Sequence, residues 1–136
     1  MKLCPIVAFL ALAACAPKAQ KPSSEQLALG ERAYQKCYSC HALGPSRNDL
    51  SAPTLHGIVG RPVAAETGFD YSPAMRRFAA HESRWTEQLL GRFVSDPQAV
   101  VPGTSMAFHG TTDPREREAL IAYLKHHTSA SAASLP

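Results

Sequence analysis

Apolar residues recur at helical spacing along this chain, and no run alternates between apolar and polar residues as a half-buried strand would. Capping signals mark where the helices begin, because Ser, Thr and Asp side chains and a proline in the first turn favour a helix start. The pattern predicts an all-α fold of about four to five helices. The predicted starts lie near Ser23, Ser72, Thr86 and Asp113.

The segment from 42 to 68 contains three prolines and four glycines and shows no sustained periodicity. A structureless connection of this length is unusual in a compact domain unless it wraps around something. The sequence therefore predicts a long, ordered loop held against a bound group.

The two ends of the chain lack the features of a folded domain. Residues 1–14 carry an early lysine and a short apolar run, as in a secretory signal, and the run is shorter than the about 20 residues that cross a bilayer. The run ends in Leu-Ala-Ala-Cys, which resembles a bacterial lipobox and implies cleavage before Cys15 and lipidation of that residue. An ordinary signal peptide with an incidental Cys15 is the alternative. Residues 15–22 are predicted to be a tether, 23–128 one domain and 129–136 a flexible tail.

The formal net charge of +3 does not describe the predicted domain. Three of the 14 basic residues (Lys2, Lys18 and Lys21) lie in the leader or tether, which leaves 11 basic residues against 11 acidic ones. A neutral domain lacks the basic surface typical of nucleic-acid binding, so we expect no nucleic-acid partner.

Residues 37–41 (CYSCH) contain the most specific chemical signal in the chain. C-x-x-C-H is the signature of covalent haem attachment, in which two thiols form thioethers and the next histidine faces the iron. The motif predicts Cys37 and Cys40 as attachment residues and His41 as an iron ligand. A zinc site would need about four nitrogen or sulfur ligands, and a thioredoxin-like dithiol would need a βαβ pattern around it. Both alternatives are weaker, since neither pattern is visible.

Covalent haem attachment makes iron-based electron transfer the leading hypothesis, and an electron carrier needs its iron held by a ligand on each face. Met106 is favoured as the second axial ligand because residues 102–106 (PGTSM) form a turn that presents the thioether from a loop. Met75 lies in a predicted helix and suits a core. The other candidates opposite His41 are His56, His81, His109, His126 and His127.

With these motifs in place, residues 24–128 resemble a class I cytochrome c, close to the mitochondrial type. The resemblance is collinear over nearly the whole domain and implies the class I cytochrome c fold, with ordered loops wrapped around one covalently attached haem c. Besides the attachment motif, the matching segments are 53–61 (PTLHGIVGR), 68–72 (GFDYS), Trp85, Pro97, 102–106 (PGTSM) and 120–124 (LIAYL).

The resemblance also implies roles around the haem. Pro53 would accept the N–H of His41 through its carbonyl oxygen, which fixes the tautomer of the ring. Gly30 and Tyr123 match the close crossing of the first and last helices. Tyr71 and Trp85 also suit a core, and that alternative stays open. The residues implied to surround the buried propionates are Arg61, Tyr71, Ser72, Trp85 and Thr104.

The sequence departs from the mitochondrial type at the expected docking surface. Gln98, Ala99 and Ser105 stand at positions that are often lysine in that type. We therefore expect docking to depend less on salt.

The functional prediction is a monohaem cytochrome that shuttles single electrons between extracytoplasmic or periplasmic partners and is not an enzyme. It would be exported, monomeric and tethered to a membrane through lipidated Cys15. Its expected partners are a quinol-oxidising cytochrome complex and a terminal oxidase or reductase. The alternatives are a haem enzyme or gas or peroxide sensor with a labile sixth ligand, and a fixed haem subunit of an oxidase or reductase.

Overall fold

The computed structural model describes residues 21–45 and 50–132, with side chains up to residue 127. Within these residues the chain forms helices and loops, with one isolated bridge between Pro62 and Arg84 and no strand. The all-α prediction is confirmed. The five helices are α1 (Ser24–Tyr34), α2 (Pro73–Ala79), α3 (Glu87–Ser95), α4 (Pro97–Val100) and α5 (Pro114–Ala132).

Side-chain caps fix the starts of the helices where the sequence predicts them. Ser23 Oγ accepts from the backbone N–H of Gln26 at 3.1 Å and so caps α1. Ser72 caps α2, whose first residue is a proline, and Thr86 caps α3. Asp113 Oδ1 accepts from the N–H of Arg115 at 2.9 Å in the first turn of α5. Each cap satisfies an N–H that has no partner inside its helix.

The frame of the domain is the contact between α1 and α5. Gly30 lies at this crossing, where a Cβ atom would overlap the carbonyl of Ala119 and lie 2.5 Å from Tyr123 Cβ. The predicted close approach of the first and last helices is therefore confirmed. Helix α5 also contacts α3, and the buried faces of these helices share one core that contains Tyr34, Leu90 and Leu124.

The long segment between α1 and α2 is an ordered loop where the structure describes it, as predicted. It is tied to the chain before α3, because Gly60 N–H donates to the Trp85 carbonyl at 2.7 Å and Trp85 N–H donates to the Arg61 carbonyl at 2.9 Å. These bonds hold the loop against buried Trp85 without a sheet.

Helix α5 continues to Ala132, so residues 129–132 of the predicted tail are helical, and residues 133–136 lie outside the described residues. The predicted signal peptide, Cys15 and most of the predicted tether also lie outside them. Among the described helices, none is long and apolar enough to cross a membrane.

Candidate functional site

The C-x-x-C-H segment follows α1 directly and forms a helix-like turn. Both Cys40 N–H and His41 N–H donate to the carbonyl of Cys37, at 3.1 and 2.9 Å. Buried Tyr34 donates its hydroxyl to the His41 carbonyl at 2.6 Å, which ties the turn to the core. The turn thus displays both thiols and the imidazole on a fixed backbone.

The two thiols differ in their surroundings. Cys37 is half-buried and Cys40 is exposed, and both are free cysteines. Burial raises the pKa of the Cys37 thiol to about 11, against an opposing effect of the Lys36 charge. A thiol held neutral among apolar groups is a poor ligand for a hydrated cation, but it suits a position beside the apolar edge of a macrocycle.

His41 is oriented by the loop that faces it. The His41 Nδ1 atom lies 2.6 Å from the carbonyl oxygen of Pro53. Because that oxygen can only accept, Nδ1 carries the proton and donates, and Nε2 is left as the lone-pair nitrogen. Burial lowers the pKa of His41, while the Pro53 hydrogen bond opposes that shift. The ring is therefore held neutral, which is the form that binds a metal ion.

Thr54 joins several parts of the loop, a role that sequence reasoning missed. It is buried, and its hydroxyl lies 3.1 Å from the Ala42 carbonyl and 2.5 Å from the Gly44 carbonyl. Its backbone N–H donates to Glu66 Oε2 at 2.7 Å. These bonds connect the stretch after His41 to the stretch that contains Pro53.

Arg61 lies beside the same backbone. Its guanidinium donates to the Thr54 carbonyl at 2.6 Å and to the His56 carbonyl at 3.0 Å. The Nε atom of Arg61 is buried and has no hydrogen-bond partner within the described part of the chain. A buried donor without a partner is costly, so this atom is suited to an acceptor such as a propionate of a bound haem.

Three other residues that the resemblance implies near the propionates have the following contacts. Tyr71 accepts from the backbone N–H of Glu66 at 3.2 Å through its hydroxyl oxygen. Ser72 Oγ accepts from Met75 N–H at 3.2 Å as the cap of α2. Trp85 is buried, and its ring packs 5.1 Å from that of Phe93. Tyr71 and Trp85 therefore also contribute to packing.

The loop that carries Met106 is held by short-range bonds. Met106 is partly buried and packs against the core. Thr104, which is buried, accepts from Met106 N–H through Oγ1 at 3.4 Å. The Gln98 amide donates to the Thr104 carbonyl at 3.0 Å and accepts from Gly103 N–H at 3.2 Å. Gln98, which the sequence placed only on the docking surface, therefore also fixes the methionine loop.

The competing axial candidates have other environments. Met75 is 8% exposed and belongs to the core, as its helical position predicts. The ring of His56 lies with Nδ1 3.2 Å from the Leu43 carbonyl, and His127 packs 5.5 Å from the ring of Tyr123. The remaining three histidines, His81, His109 and His126, are exposed. No group of three or more His, Cys, Asp or Glu side chains among the described residues is arranged to hold a metal ion.

The fold and the site together define a class: a small helical protein whose C-x-x-C-H turn and methionine loop carry side chains suited to hold one haem. The donor set fits that group, since it contains a histidine with a free Nε2, a loop thioether and a buried donor without a partner.

Comparison with known proteins identifies the family. The chain is 39% identical to cytochrome c2 of Agrobacterium tumefaciens over 98 residues, which is 72% of this chain and 88% of that one. It is 35% identical to cytochrome c2 of Blastochloris viridis over 117 residues, or 86% of this chain and 87% of that one. Cytochrome cH of Methylobacterium extorquens has the same fold, with a TM-score of 0.64 at 34% identity, covering 74% of this chain and 97% of that one. A scan of protein-family models gave no match.

The chain therefore belongs to the class I cytochrome c family. It is a monohaem electron carrier rather than an enzyme, and its cofactor is one covalently attached haem c with iron. These predictions of family, function and cofactor are confirmed by the relatives.

Proposed function

We propose that this cytochrome passes single electrons between extracytoplasmic redox proteins, with its iron ligated by His41 and Met106 and its haem attached through Cys37 and Cys40. The observation that carries the proposal is the 2.6 Å contact between His41 Nδ1 and the Pro53 carbonyl. This contact fixes the tautomer of the ring and leaves Nε2 as the nitrogen that can bind a metal ion. Fixed ligands on both faces keep the rearrangement small when the iron changes charge.

The haem supplies the one-electron chemistry, and the chain supplies ligands, burial and orientation. The Pro53 carbonyl holds the imidazole in one tautomer. Thr104 and Gln98 hold the loop that presents the Met106 thioether. We assign Arg61, Tyr71, Ser72, Trp85 and Thr104 to the propionate side; the buried Nε of Arg61 is the strongest support for this.

The purified protein tests this proposal directly. A pyridine haemochrome spectrum should show one haem with two saturated vinyl groups per chain, and the intact mass should equal the processed chain plus one haem and its lipid. Alanine at Cys37 or Cys40 should leave a single thioether and shift the haemochrome band toward that of a vinyl-bearing haem. An unshifted band in either variant would contradict the assignment of these thiols.

We further propose that the protein is exported, acts in the periplasm and is anchored to a membrane through lipidated Cys15. The Leu-Ala-Ala-Cys sequence supports this, because cysteine is uncommon after such a small-residue run in a signal sequence. Two or more acyl chains hold a protein stably on a bilayer, where a single chain is marginal. The proposed partners are a quinol-oxidising cytochrome complex as donor and a terminal oxidase or reductase as acceptor.

We expect Cys15→Ser to release the cytochrome from membranes into the soluble fraction, because serine cannot receive the thioether-linked lipid. Fractionation followed by haem staining measures this. Cys4→Ser is the matched control, since it also removes a leader cysteine, and it should leave the protein on the membrane. Membrane retention of the Cys15→Ser variant would disprove the lipid anchor.

A further inference from the structure

We propose that Glu66 acts on the iron ligand His41 through the peptide group that joins Pro53 to Thr54, and thereby strengthens the imidazole as an electron donor to the iron. In this role Glu66 is a positioning residue that lowers the redox potential. The inference rests on the proposed ligation of the iron by His41.

The geometry is a chain of two hydrogen bonds across one peptide group. The carbonyl oxygen of Pro53 lies 2.6 Å from His41 Nδ1. The N–H of Thr54, which belongs to the same peptide group, donates to Glu66 Oε2 at 2.7 Å. Both contacts are short, as expected when a charged or strongly polarised group takes part.

The physical effect follows from polarisation of the amide. A carboxylate that accepts from the N–H pushes electron density toward the carbonyl oxygen, so hydrogen bonds in such a chain strengthen one another. The carbonyl then pulls harder on the Nδ1 proton of His41. Groups that accept from a metal-bound imidazole raise its basicity as a ligand. A more basic imidazole stabilises oxidised iron more than reduced iron, which lowers the potential.

The surroundings of Glu66 make the arrangement rigid. Glu66 is half-buried, and its own backbone N–H donates to the Tyr71 hydroxyl at 3.2 Å. Thr54 is buried, and Arg61 donates to its carbonyl at 2.6 Å.

Two substitutions in the full-length, haem-loaded protein weaken the bond between Glu66 and Thr54 in different ways. Glu66→Gln keeps an oxygen that can accept from Thr54 N–H but removes the charge. Glu66→Asp keeps the charge but withdraws it by one methylene from Thr54. We expect both substitutions to raise the redox potential. The ratio of oxidised to reduced iron should change about 3-fold, which corresponds to about 28 mV because a tenfold change in that ratio is about 59 mV for one electron. We also expect the His41 Nδ1 proton of the reduced protein to move upfield in NMR spectra.

Asp70→Asn is the matched control, because it removes a carboxylate from the same loop. Asp70 pairs with Arg76 at 2.7 Å, and its side chain is 93% exposed. The control should leave the His41 Nδ1 resonance where it is in the parent protein. Unmoved Nδ1 resonances in both Glu66 variants would overturn the inference, and so would a potential rise in Asp70→Asn equal to that in Glu66→Gln. If the ring protons of His41 in the parent protein lack the shifts that a haem ring current produces, ligation by His41 is itself wrong, and both proposals fail.

Discussion

Replacing Met106 with alanine is expected to open one face of the iron and produce the largest change in the chemistry of this cytochrome. The thioether stabilises reduced iron, and water or hydroxide in its place stabilises oxidised iron. We expect the potential to fall by on the order of 0.2 V, a fraction of the about 0.8 V range that axial ligands span. The methionine–iron absorption band should disappear, and the reduced protein should bind carbon monoxide readily at neutral pH.

Met75 offers a matched control for this experiment. It is the only methionine in the sequence besides Met106 and the initiator, and it lies in the core. Met75→Leu nearly conserves volume, so the fold should tolerate it and the spectrum should keep the methionine–iron band. An unchanged spectrum in Met106→Ala would reject Met106 as the ligand. Loss of the band in Met75→Leu but not in Met106→Ala would move the assignment to α2.

The starts of the helices were predictable because they depend on local chemistry. The side-chain oxygens of Ser23, Ser72 and Thr86 each accept from the backbone N–H three residues later, and the sequence alone contains that spacing. The long loop was also predictable, because its prolines and glycines exclude a continuous helix.

The end of α5 was less predictable. The low-complexity stretch after residue 128 has no apolar face, which suggested a frayed tail. However, it contains no glycine or proline before Ala132, and alanine has the highest helix propensity. A helix already nucleated by its packing on α1 and α3 continues easily through such residues.

Short motifs let the sequence propose candidate site residues at 37–41 and at Met106, and these assignments stay predictions. Glu66 was missed because its partner, Thr54, lies 12 residues away in a loop without periodicity. Gln98 was missed as a loop-fixing residue for a similar reason, since its bonds to Thr104 and Gly103 depend on how α4 meets the methionine loop. Side-chain bonds to loop backbone depend on the folded path of the chain, which spacing alone does not encode.

The tight crossing of α1 and α5 predicts that alanine has opposite effects on the free energy of unfolding at two helical glycines, Gly30 and Gly91. Gly30→Ala places a methyl group where it would overlap backbone atoms of Ala119 and lie 2.5 Å from Tyr123 Cβ. Neither neighbour can yield as a flexible side-chain end would, so the helices must separate. We expect the free energy of unfolding to fall by about 2–3 kcal/mol, as for other overpacked cores.

Gly91→Ala in α3 is the matched control, because its new methyl group would lie 3.5 Å from Ile121 Cδ1, an ordinary contact. Alanine in a helix is favoured over glycine, so this variant should gain about 0.5–1 kcal/mol. Denaturant titration of both haem-loaded variants, followed by circular dichroism, measures the two changes. Equal destabilisation in both variants, or no destabilisation in Gly30→Ala, would contradict the prediction. Either result would show that α1 and α5 do not approach each other closely at Gly30.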